Sequence, residues 1–210
     1  MKSRSRARSR LLVACLVTAL TVGIAACGSD EAEHTLVGYR PSGVQQVDTV
    51  EIPDVSAAGE PFVFRAEPGQ LLLVSFGYTQ CPDVCPTTLA AIRGGLRLIG
   101  SQADDVALAM VTVDPFRDTG EVLTPFVQSF VPDAHALRTD DAQLLRQVAD
   151  LFGVSYSVST DAAGEVKVAH SGFVYVIDDT GAVRLSWPFG VSSADIAGDL
   201  RFLFAEGTPA

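Results

Sequence analysis

The residues with the clearest capacity for chemistry are two cysteines separated by three residues, Cys81 and Cys85, in the segment CPDVCP. If the chain enters a helix here, positions i and i+4 share one face with Cβ atoms roughly 5–6 Å apart, so that a disulfide or one metal ion can join the sulfurs. A helix N-terminus carries about half a positive charge, which favours thiolate and lowers the cysteine pKa from about 8.5. Pro82 and Pro86 indicate a surface turn. The spacing therefore predicts a reactive dithiol.

Metal binding at this pair is restricted by the number of available ligands. Two thiolates suit Cu(I), Zn(II) or an iron–sulfur cluster. A cluster would need two more cysteines, and structural zinc normally takes four protein ligands. Two thiolates alone hold Cu(I), and the addition of an imidazole makes a set that Cu(II) also accepts. Ligand chemistry therefore favours copper.

The elements that must position this pair alternate between strands and helices. Apolar runs at 71–76 and 106–113 predict buried strands, and 172–177 with the paired segment AVRLSW predicts two more. Helical spacing predicts one helix from the cysteine loop to about residue 99 and three others, capped by Thr119, Asp140 and Ser192 or Ser193. The pattern predicts a single α/β domain: a thioredoxin-like mixed sheet with helices on both faces.

The three histidines differ in where this order places them. His170 ends one predicted strand and directly precedes the strand GFVYVI. In a thioredoxin-like order the loop before that strand passes beside the reactive cysteines, so His170 is the candidate third ligand. We expect His34 to be solvated in a polar segment, and His135 to be an exposed loop residue after a helix.

The N-terminal region predicts export and membrane attachment. Residues 1–10 carry five basic residues and are followed by 16 uncharged ones, which is the layout of a secretory signal over 1–26. An uncleaved transmembrane anchor is the alternative, although the run is short for a bilayer span. The end of the run, IAAC, resembles a bacterial lipobox with Cys27 as the acylated residue. We expect a tether over 27–49, a folded domain over 50–210, and a lipid-anchored protein on the extracytoplasmic face of the cell membrane.

Charge and cysteine usage narrow the function further. Loss of residues 1–26 would move the formal charge from −10 to −15, which argues against a nucleic-acid partner. Cys15 would leave with the signal and Cys27 would carry lipid, which leaves only Cys81 and Cys85 in an oxidising compartment. A disulfide over so short a loop removes little unfolded-state entropy, so the pair is more useful for reactivity than for stability.

Three segments, in order and in spacing, resemble the Sco/SenC family of copper-handling, thioredoxin-like proteins over about residues 50–204. They are LVSFGYTQCPDVCPTTL, VTVDPFRDTGEVLTPF and HSGFVYVIDDTG. The resemblance implies that Cys81 and Cys85 are copper-binding, redox-active cysteines and that His170 is a copper ligand. Its second segment holds Asp114, Arg117 and Asp118, which we interpret as salt-bridged support for the site.

The resemblance also implies the function and the partners. A Sco/SenC protein would deliver Cu(I) or Cu(II) to the CuA centre of cytochrome c oxidase subunit II, reduce the cysteines of that centre, or do both. Another copper donor or a thiol reductant would be a further partner. Two alternatives stay open: a thiol–disulfide oxidoreductase without obligatory copper transfer, and a thiol peroxidase in which the second thiol resolves a sulfenic acid. Whether the protein is an enzyme depends on which of these applies.

Overall fold

The computed structural model describes residues 34–207, so the predicted signal and Cys27 lie outside the described residues. The strands are β1 Glu51–Asp54, β2 Glu60–Val63, β3 Leu71–Gly77, β4 Val106–Thr112, β5 His135–Leu137, β6 Tyr156–Thr160, β7 Val166–His170, β8 Val174–Ile177 and β9 Val183–Trp187. The helices are α1 Val84–Ile99, α2 Gly120–Gln128, α3 Ala142–Leu151 and α4 Ser193–Glu206. None of the helices in this part of the chain is long and apolar enough to cross a membrane.

A mixed sheet of seven strands, in the order β2-β1-β5-β4-β3-β8-β9, forms the centre of the domain. Alternate residues of β3 point to opposite faces of the sheet, and every residue of β3 is buried. Both faces of the sheet are therefore covered at this strand. Leu71 and Leu73 pack with residues of α1, α2 and α4, whereas Leu72 and Val74 pack with residues of α3. This arrangement confirms the thioredoxin-like α/β fold with helices on both faces.

The sheet brings the cysteine loop and the segment after His170 to the same end of its central strands. Strand β3 is parallel to β4 and antiparallel to β8, with Ser75 opposite Val174. The carboxyl end of β3, which leads into the cysteine loop, therefore lies beside the amino end of β8. His170 is the last residue of β7, which pairs with β6 in a separate two-stranded ribbon, and three residues link it to β8.

Several element boundaries differ from the sequence prediction. Helix α2 begins at Gly120, and the side chain of Thr119 accepts no capping hydrogen bond from its backbone N–H groups. Helix α3 begins two residues after Asp140, because the side chain of Asp141 accepts hydrogen bonds from the backbone N–H groups of Gln143 and Leu144. The three-residue strand β5 was not predicted, and the reason is its length, since three residues show no periodicity.

The described part of the predicted tether packs against the edge of the sheet. Tyr39 and Ser186 of β9 exchange two backbone hydrogen bonds of 2.9 Å, and Val47 is fully buried. The imidazole of His34 lies 2.6 Å from a carboxylate oxygen of Asp199, which is fully buried in α4. The prediction that His34 is solvated was therefore wrong, because a carboxylate 165 positions away in the chain holds its ring.

Candidate metal centre

The two cysteines converge at the start of α1, although they do not share a helix face. Cys85 lies in the first turn, whereas Cys81 precedes the helix. The backbone N–H of Cys85 donates to the Sγ atom of Cys81 over 3.2 Å, so this sulfur takes the place of a capping side chain. The side chain of Asp83, at the N-cap position, makes no capping hydrogen bond. The prediction of two helical positions was wrong for Cys81, but the expected approach of the pair is present.

His170 presents one ring nitrogen to the sulfurs and uses the other for orientation. Its Nδ1 atom lies 3.0 Å from the carbonyl oxygen of Ser171, and its Nε2 atom lies 3.6 Å from Cys85 Sγ. A carbonyl only accepts hydrogen bonds, so this geometry assigns the proton to Nδ1 and directs the lone pair of Nε2 towards the sulfurs. The donor atoms of Cys81, Cys85 and His170 all lie within 4.8 Å of one another. Three soft or borderline donors therefore meet at one point.

The thiol of Cys85 is buried, and burial makes it harder to ionise. Burial raises the pKa of Cys85, and the neighbouring thiol of Cys81 and the carboxylate of Asp118 raise it further. The prediction of a lowered pKa was wrong for this cysteine, because desolvation outweighs the field of the helix N-terminus. Cys85 is a neutral thiol at neutral pH in the copper-free protein, so a bound metal must displace its proton.

Asp118 fixes the loop that follows β3. This fully buried carboxylate accepts hydrogen bonds from the backbone N–H of Thr79 at 3.0 Å and from its hydroxyl at 2.5 Å. It also accepts one of 2.6 Å from the hydroxyl of Thr112, at the end of β4. The partners of Asp118 here are hydroxyls and an amide, so its support for the site does not come from the salt bridge that we predicted.

Arg117 connects the same loop to the histidine. Its guanidinium pairs with Asp114 and donates to Gln80 Oε1 over 2.9 Å. It also lies 5.8 Å from the centre of the Tyr78 ring, and that ring meets His170 edge to face at 6.1 Å. The predicted salt bridge is therefore present between Asp114 and Arg117. It holds the guanidinium against Gln80 and the Tyr78 ring. Hydrogen bonds to Gln80 and Thr79 could not be read from the sequence, because no spacing rule links these residues to the second segment.

The space at the centre is small. A cavity of about 10 Å³ adjoins Cys85 and His170, with Met110 and Phe173 also in its lining. A cavity of that volume holds about one water molecule. This cavity, which Cys85 and His170 line and Cys81 does not, therefore has room for a water-sized occupant and none for a bulky organic substrate.

The other candidate residues lie elsewhere. His135 is in β5, half-buried, with Nδ1 2.7 Å from a carboxylate oxygen of Asp54, so the prediction of a loop residue was wrong. His34 lies against α4, and Cys27 is outside the described residues. Only His170 of the three histidines lies at the cysteines.

Comparisons with known proteins identify the family and the fold of this chain. The family model described as SCO1/SenC matches residues 55–205. A SCO2-like protein of Rickettsia prowazekii is 34% identical over 140 residues, which are 66% of this chain and 68% of the relative. Apo Sco1 from Thermus thermophilus superposes with a TM-score of 0.70 and 29% identity, covering 81% and 98% of the two chains. Copper-bound ScoI of Bradyrhizobium japonicum gives 0.63 and 29%, covering 76% and 97%.

Proposed function

This chain belongs to the SCO1/SenC family, and from that membership we propose that it is a copper chaperone for cytochrome c oxidase. In this proposal Cys81, Cys85 and His170 hold one copper ion and pass it to the CuA centre of subunit II. The observation that carries the proposal is the approach of these three donor atoms to within 4.8 Å. A relative with the same fold and 29% identity is described with copper bound, which supports the choice of metal.

The donor set suits a cargo that must be bound and then released. Thiolate sulfur and imidazole nitrogen are preferred ligands of copper, and Nε2 of His170 already carries its lone pair towards the sulfurs. Both cysteines are buried free thiols, so water competes little for the ion. Three ligands also leave copper open to a fourth, which is how an acceptor thiolate can begin the exchange.

Transfer of copper requires no change in oxidation state. Each acceptor thiol that takes up the ion loses a proton, while Cys81 and Cys85 each regain one, so charge and protons balance. The raised pKa of Cys85, caused first by burial, favours this reprotonation. We also propose that acylation of Cys27 keeps the domain at the extracytoplasmic membrane surface, near its client, as the N-terminal sequence predicts.

Reduction of the client's thiols is a second candidate, and the dithiol itself favours it. Cys81 and Cys85 are both free, and their sulfurs lie within the 4.8 Å cluster. One thiolate would attack a client disulfide and the other would resolve the mixed disulfide, so that two electrons pass to the client and Cys81–Cys85 becomes a disulfide. An external thiol reductant would then restore the pair.

Copper titration of the reduced full-length protein tests the proposal. We expect one ion per chain and, with Cu(II), a thiolate-to-copper charge-transfer band that His170→Ala abolishes or shifts. His135→Ala is the matched control, because the imidazole of His135 is hydrogen-bonded to Asp54 and lies away from the cysteines. Failure of the reduced protein to bind copper would refute the chaperone. Retained oxidase maturation in His170→Ala, with loss in Cys81→Ser, would favour the reductase.

A further inference from the structure

The exposed phenylalanines of residues 34–207 gather at the end of the domain that carries the metal centre. Phe116, Phe173 and Phe189 are 91%, 36% and 47% exposed, respectively, and they are the only phenylalanines among the exposed large hydrophobic residues of this region. A phenyl ring in water forgoes the free energy of burial, so several exposed rings grouped around one site favour an interaction surface. We call these three residues the phenylalanine rim.

The members of the phenylalanine rim lie on different sides of the cysteine loop. Phe116 directly precedes Arg117, whose guanidinium donates to Gln80 of that loop. Phe173 lines the small cavity beside Cys85. Phe189 packs close to Gly172, because a methyl group on that glycine would lie 3.4 Å from the Cβ atom of Phe189. In the strand order, Phe116 follows β4 on one side of β3, and Phe173 and Phe189 adjoin β8 and β9 on the other, so the cysteine loop after β3 lies between them.

A second, larger depression continues from the metal centre. It has a volume of about 100 Å³ and lies between the first turns of α1 and the loop after β9, lined by Thr87, Thr88, Pro188, Phe189 and Val191. Thr88 also lines the cavity beside Cys85, so the two spaces adjoin. Binding energy in protein interfaces concentrates where an apolar side chain fills such a pocket.

The two cavities have uncharged linings, although the exposed carboxylate of Asp83 accepts a hydrogen bond from Thr87 beside the larger one. The chain has 25 acidic and 15 basic residues, yet no Asp, Glu, Lys or Arg lines either cavity. The cysteines are recessed, with exposed fractions of 9% and 5%, so an acceptor thiolate reaches copper only by docking over this end of the domain. A lipid surface would have no means of presenting a thiolate, and a second copy would present only equally recessed ones.

We propose that the phenylalanine rim is the docking surface for the copper-accepting domain, which presents an uncharged apolar patch and inserts one side chain beside Phe189. This inference rests on the proposed function and specifies its partner. The rim excludes water from the exchange and holds the acceptor thiols over Cys81, Cys85 and His170. Copper moves between the two ligand sets with its oxidation state unchanged, and the protons exchange between the two pairs of thiols.

The test compares copper binding with copper transfer in the full-length protein. The rim variant combines Phe116→Ala and Phe189→Ala and keeps Phe173, which lines the cavity at Cys85. The controls are Tyr39→Ala and Leu98→Ala, which remove exposed side chains elsewhere. The probe is the reduced, copper-free CuA domain of subunit II, separated by size after short mixing times and assayed for copper. We expect each variant to bind one ion, and the rim variant to transfer it at least about tenfold more slowly.

The possible outcomes separate this inference from the proposed function. Unchanged transfer by the rim variant would overturn the docking role. Sedimentation and binding to phosphatidylglycerol vesicles would then show whether the rim contacts a second copy of the chain or a lipid surface instead. If the double change disturbs copper binding, Phe116→Ser alone is the deciding variant, because that ring is almost fully solvated. It must slow transfer for the inference to stand. Absence of copper binding by the unsubstituted protein would refute the proposed function itself.

Discussion

A single methyl group added at Gly77 should disrupt the metal centre. A Cβ atom at this position, the last residue of β3, would lie 2.9 Å from the Sγ atom of Cys85 and 2.9 Å from the terminal methyl group of Met110. The methionine can swing its flexible end away. The cysteine side chain has only one torsion, so its sulfur can move only by leaving the position that faces His170.

The size of the effect follows from this crowding. Insertion of a methyl group into a packed core costs typically about 1–3 kcal/mol, and loss of the glycine's freedom in the unfolded chain offsets about 0.4–1 kcal/mol of that. We therefore expect Gly77→Ala to lower the free energy of unfolding by about 1–2 kcal/mol. Displacement of one of three ligands should weaken copper binding by at least about tenfold, which corresponds to about 1.4 kcal/mol.

Urea unfolding of the reduced, copper-free protein and competition titration of copper measure the two effects separately. Gly43→Ala is the matched control, because a Cβ atom there meets nothing within 4 Å. That variant should bind copper normally and be as stable as the original protein or slightly more so. If Gly77→Ala matched it in both measurements, the inferred packing between β3 and the sulfur of Cys85 would be incorrect.

Three further predictions concern buried ionisable groups. Asp118→Asn leaves a donor of Thr79 or Thr112 facing an amide N–H, so we expect a loss of about 1–3 kcal/mol in urea unfolding and weaker copper retention, and an unchanged protein would contradict the bracing role. Because burial raises the pKa of Cys85, its alkylation by iodoacetamide at pH 8 in the copper-free protein should be at least about tenfold slower than after unfolding, as read by fragment mass spectrometry; equal rates would refute this. Burial alone would raise the pKa of Asp54, but hydrogen bonds from Ser56 and His135 hold this pKa below its usual 3.8. The ionised carboxylate of Asp54 therefore stabilises the fold above about pH 4, and this contribution is lost as the pH falls through the lowered pKa. Asp54→Asn should therefore flatten the acid limb of a stability profile, and an equally steep limb would count against a stabilising role for these hydrogen bonds.

The central elements and the approach of the three candidate ligands could be predicted because their signals are local. Strand β3 is a continuous apolar run, Pro86 and the turn before it indicate the start of α1, and the strand after His170 is apolar again. Cysteine spacing and a histidine before β8 are enough to suggest a shared site once the strand order is assumed. The 4.8 Å cluster shows that this assumption was sound.

The parts that could not be predicted depend on partners far apart in the sequence. The ring of His34 is held by Asp199, and that of His135 by Asp54, and the sequence around either histidine does not indicate which distant carboxylate is its partner. The pKa of Cys85 depends on how deeply the sulfur is buried, which a helix-dipole argument does not include. Backbone pairing of Tyr39 with Ser186 is equally invisible, since a single exchanged pair of hydrogen bonds imposes no period on the sequence.

X-ray absorption of the copper-loaded protein tests the central claim most directly, because it counts the atoms around the ion. The structure predicts two sulfur ligands and one imidazole nitrogen, with the imidazole contribution lost in His170→Ala and retained in His135→Ala. A spectrum without an imidazole contribution, or one that His170→Ala leaves unchanged, would contradict the assignment of His170 as the third ligand.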